Sequence, residues 1–394
     1  MQRRRFLQGS AGLASSVALG ACVSSSQSSS GKLHTGLPVQ MPPLKRIEAR
    51  PDRIITMNVC TRPFRAQGPR IELEKAGAKS IVHNYGHGGS GWSLSWGTAV
   101  LAESLVAEAM NKEVAVIGCG AIGLTTAIQC QRAGFKVKIY AKERPPYVRS
   151  SFATGIWSPD SRIVDLAHAD SFAQKWEMMA RISFRRYQTL LGLTGTPVEW
   201  TTIFRASDTP FSETGHYEAK GEPAYPTFER DLIGDITPQS WDIPAHMNPF
   251  PVPYVRRYPL LMFNISEYSR VLMGEFIQNG GEIVTRELTS PSDFANFDEN
   301  TLVNCTGYGA RALLGDDSIT PVRGQTCKLI PQQEVKYGIQ YFNKHVSVYP
   351  RRDGLLVQAG GDHDFGNPAA NIDHEESLSA VARLADFIAA MKTV

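Results

Sequence analysis

Residues 114–123 constrain the architecture of this chain more than any other stretch. Val114-Ala115-Val116-Ile117 is an apolar run suited to a buried strand, and Gly118-Cys119-Gly120-Ala121-Ile122-Gly123 opens a helical pattern directly behind it. At that spacing the first glycine permits a tight turn, the second lets backbone approach a pyrophosphate, and the third lets helix pack on strand. The helix start adds unpaired N–H groups and the positive end of its dipole. Such a turn normally opens its domain. Here a second glycine-rich block precedes it: His83-Asn84-Tyr85-Gly86-His87-Gly88-Gly89-Ser90-Gly91-Trp92. Glycines at this density allow positive φ and close approach of backbone to a flat ligand. The helix behind the block aims its N-terminal N–H groups forward, where they stabilise developing negative charge.

The rest of the chain is organised around these two blocks. Arg53–Met57 reads as a short strand, and Ile71–Glu74 and Ser80–His83 as further apolar pieces. Trp96–Met110 has helical periodicity. Asn111-Lys112-Glu113 joins that helix directly to the strand at Val114. Thr125–Ala133 continues the crossover helix until Gly134 ends it, and Lys136–Tyr140 is the second strand. Ser171–Leu191 reads as a long amphipathic helix. Residues 195–260 are rich in Pro and aromatics, with short strand-like pieces. Ser266–Asn279 is helical, with Ser266 as N-cap. Thr301–Gly307 returns to the nucleotide-binding part, residues 321–357 are strand-rich, and a last helix runs from Glu375 to Met391. Arg351-Arg352-Asp353-Gly354 reads as a hairpin turn. No internal repeat is present.

At 394 residues the chain is long enough for two domains. A net charge of +3 is too small to argue for nucleic acid. The N-terminus reads as an export signal. Arg3-Arg4-Arg5-Phe6-Leu7 has the twin-arginine arrangement, and a weakly apolar stretch follows that is too short for a membrane span. Leu19-Gly20-Ala21-Cys22 resembles a lipoprotein cleavage site, with Cys22 lipidated and a Ser-rich tether behind it; the alternative is plain signal-peptidase cleavage. The expected location is the periplasmic side of the cell envelope. The five cysteines beyond Cys22 fall at irregular spacing and form no disulfide framework. Cys119 and Cys305 read as packing residues.

Taken together, several segments resemble the D-amino-acid oxidases, a family of FAD-dependent oxidoreductases. Cys60-Thr61-Arg62-Pro63-Phe64-Arg65, followed by Pro69–Glu74, resembles the family's arginine segment. His83–Gly91 resembles its glycine block, which in the family lies near the C-terminus. Ala153-Thr154-Gly155-Ile156-Trp157-Ser158-Pro159 resembles the loop along the flavin, and Val303–Gly307 and Arg323-Gly324-Gln325 match as well. The resemblance covers nearly all of residues 51–394 in permuted order, and so implies a circularly permuted member. It implies an α/β fold: a Rossmann-like FAD-binding domain (51–195, 261–320 and 358–394) and a second α+β substrate domain on a mixed or antiparallel sheet (196–260 and 321–357). Residues 1–22 would be the export signal and 23–50 a linker.

The resemblance also implies residue roles. Non-covalent FAD would be held by Gly118, Gly120, Ile122 and Gly123, by Ser150, Gly155, Ile156 and Ser158, by Cys305, Thr306 and Gly307, and by Gly88, Gly89, Ser90, Gly91, Trp92 and Ser93. Lys142 stands where the ribose-binding acid usually follows the second strand, and Glu143 takes that role one position later. Arg62 would clamp a substrate α-carboxylate through a bidentate pair; its alternative is a structural arginine paired with a buried carboxylate. Gly89 would offer its carbonyl to the substrate amine. Asn343 and Ser347 occupy the positions of two active-site tyrosines, while Tyr341 and Tyr349 enter only in another register. No metal is expected. The implied reaction is oxidation of a D-amino acid to a 2-oxo acid and ammonia, with oxygen or another acceptor taking the electrons. A related glycine or amine oxidase, an envelope dehydrogenase and a non-catalytic flavin-binding lipoprotein are the alternatives.

Overall fold

The computed structural model describes residues 43–213, 221–361 and 363–392. The twin-arginine segment, Cys22 and most of the linker lie outside the described residues. The chain begins with β1 (Ile54–Arg65), β2 (Arg70–Ala76) and β3 (Lys79–Tyr85), then α1 (Gly91–Glu108). β4 (Glu113–Ile117), α2 (Ala121–Arg132) and β5 (Lys136–Ala141) form the first strand–helix–strand crossover. Next come α3 (Ala169–Gln188), β6 (Val198–Ser207), the short α4 (Phe228–Leu232), β7 (Trp241–Asp242), β8 (Tyr254–Phe263) and α5 (Ile265–Gln278). β9 (Glu282–Thr285), β10 (Thr301–Asn304) and α6 (Gly309–Leu314) lead to β11 (Ile319–Leu329), β12 (Tyr337–Tyr341), β13 (Val346–Arg351), β14 (Gly354–Ala359) and α7 (His374–Ala389).

These strands build two sheets. The smaller has the order β2-β3-β10-β4-β5-β9. Its strands from β3 to β9 run parallel, and only β2 is antiparallel. β3 and β4 are buried on both faces, as the near-continuous apolar runs of a parallel sheet require. From β4 the chain crosses one way to β5 and β9, whereas β10 returns to the other side of β4, between it and β3. The crevice beyond the carboxyl ends of β4 and β10 is therefore the topological switch point, where open α/β sheets bind ligands. The larger sheet has the order β1-β11-β14-β13-β12-β6-β8-β7. β1 is its edge strand, a position that tolerates Pro63 because no ladder bond is needed on the outer side.

The structure corrects several sequence expectations. The strand expected at 53–57 is the start of a twelve-residue strand that pairs with β11 as far as Arg65–Ile319. Residues 54–65 thus belong to the larger sheet, not to the nucleotide-binding part. α7 packs on β11, β13 and β14 and leaves that part as well. Residues 42–394 fall within one compact unit. The helix after the glycine block begins at Gly91 rather than Trp96. Asn264, not Ser266, precedes α5; Ser266 Oγ instead reaches Asp353 at 2.8 Å. The strand-like pieces between 195 and 260 are two ten-residue strands, β6 and β8, paired along their full length. All five cysteines are unpaired and buried, and burial raises the Cys119 and Cys305 thiols to about 12. Among the described residues, no helix is long and apolar enough to cross a membrane.

Candidate active site

The β4–α2 turn has the geometry its sequence dictates. Gly118 sits at φ 112°, and a Cβ there would lie 2.5 Å from the Cys305 carbonyl oxygen. A Cβ on Gly123 would stand 2.0 Å from the Gly118 oxygen, so α2 closes on β4 only with glycine in place. Gly120 is the N-cap and supplies no side-chain acceptor. One N–H of the first turn, on Ala121, donates to Ser150 Oγ at 3.1 Å. Ile122 is half-buried beside it. On the other wall, Asn304 Oδ1 fixes Thr306 through its N–H (3.2 Å) and its hydroxyl (2.8 Å), and Gly307 continues at φ 57° with open space at its Cα. This is a glycine-lined, anion-accepting crevice, and it fits the pyrophosphate of a dinucleotide.

The second glycine block ties that crevice to the larger sheet. Gly88 N–H donates to the carbonyl of Pro63, the neighbour of Arg62, at 2.8 Å. Gly89 N–H donates to Ser161 O at 2.9 Å, and a Cβ on Gly88 would sit 1.7 Å from Arg162 O. Ser90 Oγ donates to Ser158 O and Ser161 O. Trp92 Nε1 donates to Ser150 O at 2.8 Å, and Ser93 Oγ accepts from Ser158 N–H at 2.8 Å. Gly155 O accepts from Phe263 N–H and Ile156 bridges Met262, which lays the 153–158 loop along the end of β8. Gly91 at the start of α1 has open space at its Cα. The side chains of Trp92 and Ser93 at the start of α1 and the Ala121 N–H at the start of α2 thus meet the same 150–158 segment.

Behind the block lies a buried polar chain. His87 Nε2 meets Thr98 Oγ1 at 3.0 Å, Thr98 donates to Asn84 Oδ1 at 2.6 Å, and Asn84 Nδ2 donates to Thr126 Oγ1 at 3.1 Å. Burial lowers the His87 pKa to about 3, so the folded protein keeps this ring neutral. The unfolded chain takes up a proton near the ordinary histidine value while the native state does not. The contribution of His87 is fully present above about pH 6.5 and is lost as the pH falls toward 3. A His87→Gln variant is expected to show a flatter decline of thermal stability between pH 7 and 4 than the parent, checked by melting curves across that range.

Arg62 lies on the inner face of the larger sheet. Residues opposite one another in neighbouring strands share a face. The register runs from Arg62 opposite Val322, along β11 to Thr326 opposite Gln358, then to Ser347, Gln340 and Arg205, and Ile203 carries the same face to Tyr258. The opposite face carries Arg323 and Gln325, which bind Glu376 and Ser377 of α7. The Arg62 guanidinium rests over Gly324, where a Cβ would be 2.4 Å from Nη2, and Nη1 donates to Arg323 O at 2.9 Å. Burial and the adjacent Arg162 lower its pKa. Among the described residues no carboxylate forms an ion pair with it, so the structural-partner alternative finds no such partner. Arg162 is paired with the buried Glu222, which also accepts from Tyr225 at 3.0 Å. Asp364, raised to about 6 mainly by burial, also bears on Arg62.

Most of the expected residues converge on this region: the two glycine blocks, Ser150, the 155–158 loop, residues 305–307, Ser347 and Arg62. Two do not. Lys142 is exposed and its Nζ reaches Glu287 Oε1 at 2.7 Å, while Glu143 stands exposed just past the end of β5. Asn343 is exposed in the turn between β12 and β13 and lines a separate surface cavity with Lys344, His345, Gly360 and Arg383. The sequence reading admitted Tyr349 only in another register. It needs no register shift, because it lies two residues beyond Ser347 on the same face, as strand alternation required. Tyr341 points the other way, against Phe387 of α7. Gln340, Tyr258 and Arg162 had no sequence signal of their own; their positions follow from strand pairing and a loop contact.

The fold and site define a flavin-dependent oxidoreductase. The chain belongs to the FAD dependent oxidoreductase family, whose model matches residues 113–393, and FAD is its cofactor. It is 26% identical over 276 residues to a D-amino-acid oxidase of Dictyostelium discoideum, covering 68% of this chain and 72% of that protein. It is 29% identical over 226 residues to a D-amino-acid oxidase of Streptomyces coelicolor, covering 57% of this chain and 61% of that protein. Among solved structures, glycine oxidase from Geobacillus kaustophilus shares the fold with a TM-score of 0.52 at 16% identity, covering 72% of this chain and 81% of that one.

Proposed function

We propose that this enzyme oxidises D-amino acids to 2-oxo acids and ammonia. The observation that carries this reading is the Gly88–Pro63 hydrogen bond, which sets an arginine lacking an ion pair among the described residues beside the glycine loop of the flavin site. Arg62 binds the α-carboxylate as a planar two-point donor. The Gly89 carbonyl accepts from the amine, and the packing of this loop on Ser161 keeps its backbone rigid. Bound FAD supplies the hydride acceptor, and the imino acid released hydrolyses in water. An amine delivered neutral needs no protein base. Glu143 is the proposed ribose partner. Oxygen serves as electron acceptor in this reading.

We further infer that the chain is circularly permuted. The family match opens at residue 113, the first residue of β4, whereas β3, the glycine loop and α1 precede it and complete the same sheet. Export to the periplasmic face and lipidation at Cys22 are proposed from the N-terminal sequence alone. The reading predicts that incubation with a D-amino acid yields 2-oxo acid, ammonia and hydrogen peroxide in equal amounts. Product release from glycine or secondary amines only, quantified in the same assay, would instead favour the glycine or amine oxidase alternative.

A further inference from the structure

The crevice wall at Thr306 is held from behind by a buried row that ends at a histidine. Asn304 and His83 are cross-strand neighbours on β10 and β3, and both are buried. The Thr306 backbone N–H can only donate, and it meets Asn304 Oδ1 at 3.2 Å. The Thr306 hydroxyl donates to the same oxygen at 2.8 Å. The amide nitrogen Nδ2 is therefore turned to His83 Nδ1, at 3.3 Å. An amide NH2 has only protons to offer, so Nδ1 is the accepting, unprotonated nitrogen. At the other edge of the ring, Nε2 lies 3.0 Å from Glu74 Oε2 and donates to that carboxylate. Both neighbours thus select the same neutral tautomer. Glu74 and His83 line a cavity of about 150 Å³ together with Lys79, Phe294 and Leu314. Glu74 is exposed, so a proton reaches this edge of the ring from solvent.

We propose that His83 and Asn304 are positioning residues for the cofactor: neutral His83 orients the Asn304 amide so that its oxygen fixes Thr306 in the flavin crevice, and protonation of His83 opens this lock and weakens FAD. A proton on Nδ1 would face the Asn304 NH2. If the amide turns over to meet it, the NH2 faces the Thr306 N–H instead. Either way two buried donors oppose each other and one loses its acceptor. The charged groups that bear on the ring stand on β2. Glu74 and Glu72 favour the imidazolium, and Arg70, which pairs with both, opposes it. Lys79 adds positive charge in the cavity, and the Tyr85 ring, 5.7 Å from His83 on β3, stays neutral. Burial is the largest influence and lowers the His83 pKa. The lock is therefore closed at neutral pH and opens on the acid side of the ordinary histidine value, about 6.5. It acts on the cofactor, whichever amine the enzyme oxidises.

The test dilutes the FAD-loaded enzyme into buffers between about pH 7.5 and 5, a range that spans the ordinary histidine value. Released flavin, read by its fluorescence, gives the FAD dissociation constant at each pH. Melting curves of the FAD-free protein in the same buffers report whether the fold persists. In the parent the dissociation constant should rise on acidification, with a slope approaching about tenfold per pH unit, the limit for one linked proton. His83→Gln donates to Glu74 and accepts from Asn304 without titrating, so its dissociation constant should stay within about threefold over the range. Asn304→Asp accepts from Thr306 with one oxygen and from a protonated Nδ1 with the other. It should bind FAD more weakly at neutral pH and lose no further affinity on acidification. Glu74→Gln removes a charge that favours the imidazolium, so the onset should move to lower pH. A parent whose FAD affinity is flat over this range would overturn the proposal. So would His83→Gln with the slope of the parent, above all if the FAD-free protein melts in step, because the loss would then belong to unfolding.

Discussion

Arg62→Ala is expected to retain FAD and to lose about 10²–10³-fold in kcat/KM, the effect of truncating one partner of a buried charge-assisted pair. The guanidinium has no ion-pair partner among the described residues, rests over Gly324 and donates to the Arg323 carbonyl. In the proposed reading the flavin is held by other segments, so the absorbance ratio of bound flavin to protein should match the parent. Arg62→Lys should recover little, because an ammonium lacks the planar fork that meets both carboxylate oxygens. Steady-state kinetics with a D-amino acid checks both variants. Parent-like kcat/KM in Arg62→Ala would remove Arg62 from the site.

The second large effect lies at Gly118. Gly118→Ala is expected to purify with little or no FAD, measured by flavin absorbance after gel filtration. Its φ of 112° is one that L side chains rarely adopt, and its Cβ would press on the Cys305 carbonyl at 2.5 Å. Relief requires β4 and β10 to part where their ends form the crevice, and that spoils the backbone approach to the pyrophosphate. Gly134→Ala makes a useful comparison. It also has positive φ, at 88°, but nothing lies within 4 Å of its Cβ position, and it ends α2 at the far end from the crevice. It should lose stability while keeping FAD.

What the sequence made legible follows from how local each signal is. The strand–glycine–helix turn at 114–123 is specified by neighbours in the chain, and it appears where it was read. The inverted order of the two glycine blocks was legible for the same reason. Arg62 was identified by the residues around it, but its membership of the larger sheet was not. That depends on pairing with β11, more than 250 residues away, which no local pattern encodes. The same non-locality hid Gln340 and Tyr258, which meet only when β12, β6 and β8 align. Tyr349 is a different case, admitted from sequence only in another register. Strand alternation from Ser347 already placed it on the inner face, but anchoring on the positions of the family's tyrosines drew the reading toward Asn343, which falls in a turn. Lys142 and Glu143 remained ambiguous because the end of a strand does not say which of two adjacent residues turns to the crevice. The ion pair with Glu287, on a distant segment, draws Lys142 away.

The most direct test of the central claim is anaerobic mixing of the FAD-loaded protein with matched D- and L-amino acids while the flavin's visible absorption is recorded. Bleaching by D-amino acids, absent with their L enantiomers and strongly slowed in Arg62→Ala, is the predicted result. A flavin that stays oxidised with every D-amino acid, or that bleaches equally in Arg62→Ala, would contradict it.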